Sequence, residues 1–157
     1  MNKASASTGV SKNHFVGAGV VILRDHNSNL EVLLIRRGKP PREGEWSIPG
    51  GRQELGETVR ETAVREIKEE TNLTISDMEL VDVVDAFSTD DSGNVLIQWT
   101  LVDFRAWWKN DIARAGSDAT EVKWVPVPTL SSYNLWHETI RIIEQAVAKP
   151  PRPNAGG

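Results

Sequence analysis

The chain has 157 residues, no cysteine and a net charge of −4, with 39% apolar and 25% charged residues. The length suits one domain with a buried core. Lack of cysteine excludes a disulfide framework and thiol chemistry, the acidic balance argues against a surface for a nucleic-acid polymer, and no apolar run approaches the roughly 18 residues of a membrane span.

Residues 1–13 are rich in Ser, Ala, Asn and Lys and are expected to be disordered. They contain no apolar stretch of signal-peptide type, so a soluble cytoplasmic protein is the expectation. Residues 14–149 are read as the domain, and the Pro/Gly-rich 150–157 as a flexible tail. From Phe15 to Leu23 the apolar run, with Gly17 and Gly19 inside it, predicts a buried strand. A turn at His26-Asn27-Ser28-Asn29 leads to a second strand over Glu31–Arg36, giving a hairpin. Lys39–Gly44 is a loop, and Pro49-Gly50-Gly51 a turn whose backbone can approach a ligand closely.

Thr58 and Glu61 then form the S/T-x-x-E capping box of a helix start. Val59, Ala63, Val64 and Ile67 recur at helical spacing, and Ala63, Val64 and Ile67 form a stripe beside an acidic face. At about 100° per residue, Glu69 and Glu70 fall about 60° and 40° to either side of Glu66, so three carboxylates share one face. Like charges at these spacings cost roughly 0.2–0.5 kcal/mol per pair. A divalent cation would offset that repulsion, and carboxylate oxygens without His or Cys favour Mg²⁺, Mn²⁺ or Ca²⁺ over zinc. Asn72 stands where a left-handed residue would end the helix. Downstream, Glu79–Phe87 and Val95–Ala106 read as strands joined by the polar turn Thr89–Asn94, Val122–Val125 as a short strand, and Leu135–Ala148 as a packing helix. Strands on both sides of a helix, with a second helix last, indicate an α/β sandwich around a mixed sheet.

The segment 51–73, GRQELGETVRETAVREIKEETNL, resembles the signature of the Nudix hydrolases, G-x5-E-x7-R-E-U-x-E-E-x-G-U with U a bulky aliphatic. Gly51, Glu57, Arg65, Glu66, Ile67, Glu69, Glu70 and Leu73 match it, and Asn72 replaces its second Gly. That position belongs to the helix exit, so the departure leaves the acidic site intact. The resemblance implies an α/β/α sandwich with a central mixed sheet. It also implies metal ligands Glu66, Glu69, Glu70 and the Gly50 carbonyl, holding Mg²⁺ or Mn²⁺. Glu66, Glu69 and Arg65 become the catalytic candidates, with Gly51 and Glu57 in structural support. Arg65 is expected to pair with Glu57 or Glu69, the alternative being a plain surface ion pair.

The general base is open between a helix Glu and a carboxylate of the 115–123 loop, which offers Asp118 and Glu121; Glu121, three before Trp124, is preferred. Arg36, Arg37 and Lys39 are candidate phosphate ligands, but strand alternation sends Arg36 and Arg37 to opposite sides. Trp46 could stack a nucleobase or pack the core. The three histidines lack metal-ligand spacing.

The reaction implied is hydrolysis of a phosphoric anhydride in a nucleoside diphosphate linked to another moiety, as in ADP-ribose. A MutT-type nucleoside triphosphate pyrophosphohydrolase is the alternative, and a non-catalytic nucleotide-sensing module the alternative of another class. Fifteen to 18 residues past the segment, Ser88-Thr89-Asp90-Asp91 lacks the Pro of one ADP-ribose subfamily and the Tyr of a dinucleoside-polyphosphate subfamily. The partner expected is a small nucleotide, with no nucleic-acid polymer and no membrane; a homodimer is left open.

Overall fold

The structure, a computed structural model, describes residues 13–40 and 42–150. The segment and tail expected to lack order therefore lie outside the described residues, apart from Asn13 and Pro150 at their inner ends. Asn13 opens the first strand.

Strand β1, Asn13–His26, is buried without a break from Gly17 to Leu23. A strand covered on both faces reads as a continuous apolar run rather than an alternating one. Asn27 and Ser28 both take positive φ, 51° and 66°, the backbone that closes a two-residue hairpin. They return the chain into β2, Asn29–Arg37, with Leu23 opposite Val32.

Two short strands follow where the sequence gives only a turn: β3, Trp46–Ser47, and β4, Gly50–Arg52. Segments of two and three residues carry no periodicity, so tertiary pairing alone defines them. Ser47 pairs with Ile35 of β2, and Gly50 with Gly19 of β1. The β3–β4 corner thus wedges between β1 and β2.

After helix α1, Val59–Thr71, β5 (Glu79–Thr89) and β6 (Val95–Trp107) pair antiparallel. Asp90 organises their turn by accepting from the amides of Ser92 and Asn94 at 2.9 Å. β6 runs parallel to β1 from the pair Asn13–Ile97 to the pair Leu23–Trp107. β7, Ala119–Pro126, pairs antiparallel with β2. A 3₁₀ segment, Val127–Tyr133, leads to helix α2, His137–Ala148. The sheet is therefore mixed, in the order β3-β2-β1-β6-β5 with β4 on β1 and β7 on β2.

Strand alternation gives the sheet two apolar faces. Ala18, Val20, Ile22, Leu33 and Phe104 pack with Ala63 and Ile67 of α1. Val21, Leu23, Val32, Leu34 and Val84 pack with Ile142, Ile143 and Ala146 of α2. This is the expected α/β/α sandwich. Each fully buried Ile contributes roughly 1.5–3 kcal/mol by removal from water. Arg105 is 1% exposed. It pairs with Glu79 at 2.6 Å and donates to the carbonyls of Ala146, Lys149 and Pro150 at the end of α2. Among the described residues no helix is long and apolar enough to cross a membrane.

Candidate functional site

Helix α1 begins and ends as its sequence requires. Thr58 is extended and its hydroxyl accepts from the Glu61 amide at 3.1 Å, satisfying one of the free donors of the first turn. Asn72 has φ 67°, and its amide closes on the Lys68 carbonyl at 3.0 Å. The left-handed exit usually given to Gly is taken by Asn, with its side-chain amide donating to the Ile112 carbonyl at 3.2 Å.

The buried stripe is rotated from the one expected. Thr62, Ala63, Ile67, Glu70 and Thr71 are buried, whereas Val64 is 38% exposed. α1 packs on β1 and β4 together, which draws the Glu70 side of the helix inward and turns Val64 out.

That rotation places the acids. Glu70 is only 7% exposed, and its Oε2 accepts from the Gly50 amide at 3.0 Å. The Glu66 carboxyl covers Gly51, where a Cβ would overlap it. A Cβ at Gly50 would overlap the Ala18 carbonyl oxygen. At Gly50 the obstacle is backbone and excludes any side chain, whereas at Gly51 a side chain would displace the Glu66 carboxyl. Glu69 stands at the rim with its side chain 45% exposed.

Arg65 ties the cluster together. Its Nε and one terminal nitrogen grip the two Glu57 oxygens at 2.6 and 2.9 Å. The other terminal nitrogen reaches Glu66 at 2.9 Å and Glu69 at 3.3 Å. A planar fork makes such a two-point grip, which an ammonium group cannot. Glu57 also accepts from the Glu54 amide and the Thr62 hydroxyl. These donors, Arg65 first, hold its carboxyl down at about 2. Arg65 therefore pairs with both of the partners weighed from the sequence, and with Glu66 as well.

The metal candidates behave in the opposite way. Burial pushes the Glu70 carboxyl up to about 8, against the Gly50 amide, and the charges of Glu66 and Asp118 add to the rise. Burial also raises Glu66. A half-enclosed group of carboxylates that is costly to ionise suits a hard cation with oxygen ligands. The site is not a finished cage: among the described residues no three acidic or imidazole groups are disposed to hold an ion together. Glu66 and Glu69 lean on Arg65, and Glu70 on Gly50.

The remaining candidates separate. Glu121 pairs with Arg36 at 2.9 Å, both side chains about half exposed. Arg36 further donates to the Gly44 carbonyl, so it braces the 39–44 loop. Arg37, on the alternate side, bears electrostatically on Glu70. Lys39 pairs with Asp118 at 2.8 Å. Asp118, in turn, bears on both Glu66 and Glu70. It arrives there because the preceding loop docks on the end of α1, with the Arg114 amide on the Thr71 carbonyl and the Gly116 amide on the Glu70 carbonyl. Of the two loop acids, Asp118 is thus the one brought to the cluster, and only this docking distinguishes it. Trp46 meets Tyr133 edge-on at 5.5 Å and packs on the α2-side core.

A model of the NUDIX domain matches residues 13–146. An ADP-ribose pyrophosphatase from Methanocaldococcus jannaschii is 36% identical over 110 residues, covering 70% of this chain and 63% of that protein. An 8-oxo-dGDP phosphatase from Mus musculus is 30% identical over 122 residues, covering 75% of this chain and 35% of its own. The chain spans less than two thirds of the length of the curated relatives it matches first. Among solved structures, the NUDIX domain of Shewanella oneidensis NrtR, complexed with ADP ribose, superimposes with a TM-score of 0.74 at 24% identity, over 90% of this chain and 92% of that one. A MutT NUDIX hydrolase from Burkholderia pseudomallei gives 0.71 at 28% identity, over 85% and 98%. With the acidic helix, the glycine turn and the mixed sheet in place, the chain belongs to the NUDIX domain family.

Proposed function

We propose that the protein hydrolyses a phosphoric anhydride in a nucleoside diphosphate linked to a second group, with Mg²⁺ or Mn²⁺ bound at Glu66, Glu69, Glu70 and the Gly50 carbonyl. One observation carries this reading: Glu70 and Glu66 of α1 meet the Gly50–Gly51 backbone, and a single arginine ties Glu66 to Glu69 at the rim. The ion would neutralise phosphate oxygens and lower the pKa of the attacking water.

The chain's own residues supply the rest. Arg65, fixed by Glu57, orients Glu66 and Glu69. Arg37 offers its charge to phosphate oxygens beside Glu70. Both loop carboxylates are held by a basic side chain, Asp118 by Lys39 and Glu121 by Arg36, and Asp118, whose charge bears on Glu66 and Glu70, is the better placed to take a proton from water. The likeness to an ADP-ribose pyrophosphatase supports ADP-ribose as the first substrate to test.

The second reading, a MutT-type enzyme that removes pyrophosphate from damaged nucleoside triphosphates, is supported by the likeness to a MutT hydrolase and to a phosphatase of the oxidised nucleotide 8-oxo-dGDP. A nucleotide sensor would have no need of Arg65 and all three carboxylates. The deciding experiment is a Mg²⁺ panel of ADP-ribose, an oxidised guanine nucleoside triphosphate and diadenosine tetraphosphate, compared by kcat/KM. ADP-ribose is expected to give two monophosphates. A preference above about 10²-fold for the triphosphate, roughly 2.7 kcal/mol in the transition state, would select the second reading. No turnover of any of them would select the sensor.

A further inference from the structure

Asp103 lies in the middle of β6, on the α2 face of the sheet, and is 6% exposed. No hydrogen bond from any described group reaches its carboxyl, although no fully buried side-chain oxygen among the described residues lacks a partner. Its oxygens therefore keep some exposure to solvent. An apolar side chain there would avoid the desolvation cost of a buried carboxyl without donors. Burial pushes its carboxyl up to about 6, with the charge of Asp82 adding and that of Arg141 opposing.

The position is specific. Asp103 is opposite Gly19 on β1, and Gly19 is opposite Gly50 on β4. Two strand spacings, about 10 Å in all, separate Asp103 from the backbone that meets Glu70. A Cβ at Gly19 would lie 2.6 Å from Asp103 Oδ1 and 3.1 Å from Ile48 Cδ1, so the glycine makes room for the carboxyl. Helix α2 covers this face unevenly. Arg105 lies under its last turn, bonded to the Ala146 carbonyl. Asp103 is opposite Asp82 of β5, which pairs with Arg141 of α2, itself bonded to Glu138. Farther along β6, Leu101 and Trp99 are only half-buried. The carboxyl thus opens at the edge of an uncovered apolar face that carries an aromatic ring.

We propose that Asp103 reads the nucleobase of the substrate, accepting a hydrogen bond from an exocyclic amine while the base lies against the Trp99–Leu101 face. This rests on the reading of the protein as acting on a nucleoside diphosphate. A base that brings the amine supplies the donor Asp103 lacks; one without it leaves the carboxyl desolvated and unpaired.

The test uses titration calorimetry with AMP and with purine riboside 5′-monophosphate, the same nucleotide without the amine. Neither contains an anhydride to hydrolyse. The wild type is expected to bind AMP at least about tenfold more tightly, the range of a hydrogen bond to a charged group. Asp103→Leu, which keeps the branched shape and heavy-atom count but removes the acceptors, should abolish that preference without lowering Tm. Asp103→Asn, a variant with smaller folding risk, should narrow it at least about threefold. A wild type with no preference, or binding neither nucleotide, overturns the proposal. So does a preference that survives in Asp103→Leu or stands undiminished in Asp103→Asn. Turnover of ADP-ribose is scored separately: preference without turnover refutes the proposed reaction alone, and turnover without preference refutes the role of Asp103 alone.

Discussion

The Glu70 carboxylate and the Gly50 amide, 20 residues apart in sequence, meet at 3.0 Å. The contact fastens α1 to the corner between β1 and β4. Glu70→Gln keeps the shape and an acceptor for that amide but removes the charge. Turnover in Mg²⁺ is expected to fall at least about 10²-fold in kcat, as when a positioned electrostatic group is lost, while the fold persists by circular dichroism. Wild-type turnover in this variant would refute the metal assignment.

Glu70 also sets a pH dependence. Its folded pKa of about 8 lies above the ordinary 4.5. Between those values the folded chain keeps a proton that the unfolded chain has released. The contribution of Glu70 to stability without metal is therefore full below about pH 4.5 and is lost as pH rises toward 8. Asp103, raised to about 6, adds to the lower part of that window. Thermal melts in chelator at pH 5, 6.5 and 8 should show Tm falling, and Glu70→Gln should flatten the slope. Equal slopes in the two proteins would show that Glu70 is not its source.

Arg65→Lys separates charge from geometry. A lysine keeps one positive charge but cannot grip both Glu57 oxygens and still reach Glu66. Loss of about 10–100-fold in metal affinity or activity is expected, the usual cost of removing a group that orients ligands. A Mg²⁺ titration of activity measures it. An unchanged half-saturation and kcat would reduce Arg65 to a surface ion pair.

The two loop acids make a paired test. Asp118→Asn should lower kcat more than about tenfold, within the range for a general base. Glu121→Gln, which loosens only the half-exposed pair with Arg36, should stay within about threefold. The reverse order would return the role to Glu121.

Asn72 tests the helix exit. Asn72→Val forces a β-branched residue to φ near 67° and should destabilise by about 1 kcal/mol or more. Asn72→Gly loses an exposed bond to Ile112 but relieves the backbone, leaving Tm and activity close to wild type. Equal melting temperatures for the two variants would contradict a left-handed exit.

The sequence by itself determined α1, its cap at Thr58, its exit at Asn72 and the acids on one face, because these depend on contacts three or four residues apart. It determined the long strands too, since β1 is apolar without a break and Asn27-Ser28 suits a tight hairpin. Tertiary structure decided what local pattern cannot encode. β3 and β4 exist only as partners of β2 and β1. Val64 turned outward because α1 packs on two strands at once. Asp118 rather than Glu121 was drawn to Glu66 and Glu70 by a loop docking on the α1 carbonyls. Asp103 acquired its setting from Gly19, 84 positions earlier, through a parallel pairing. Long-range register, not residue type, selects which carboxylates meet.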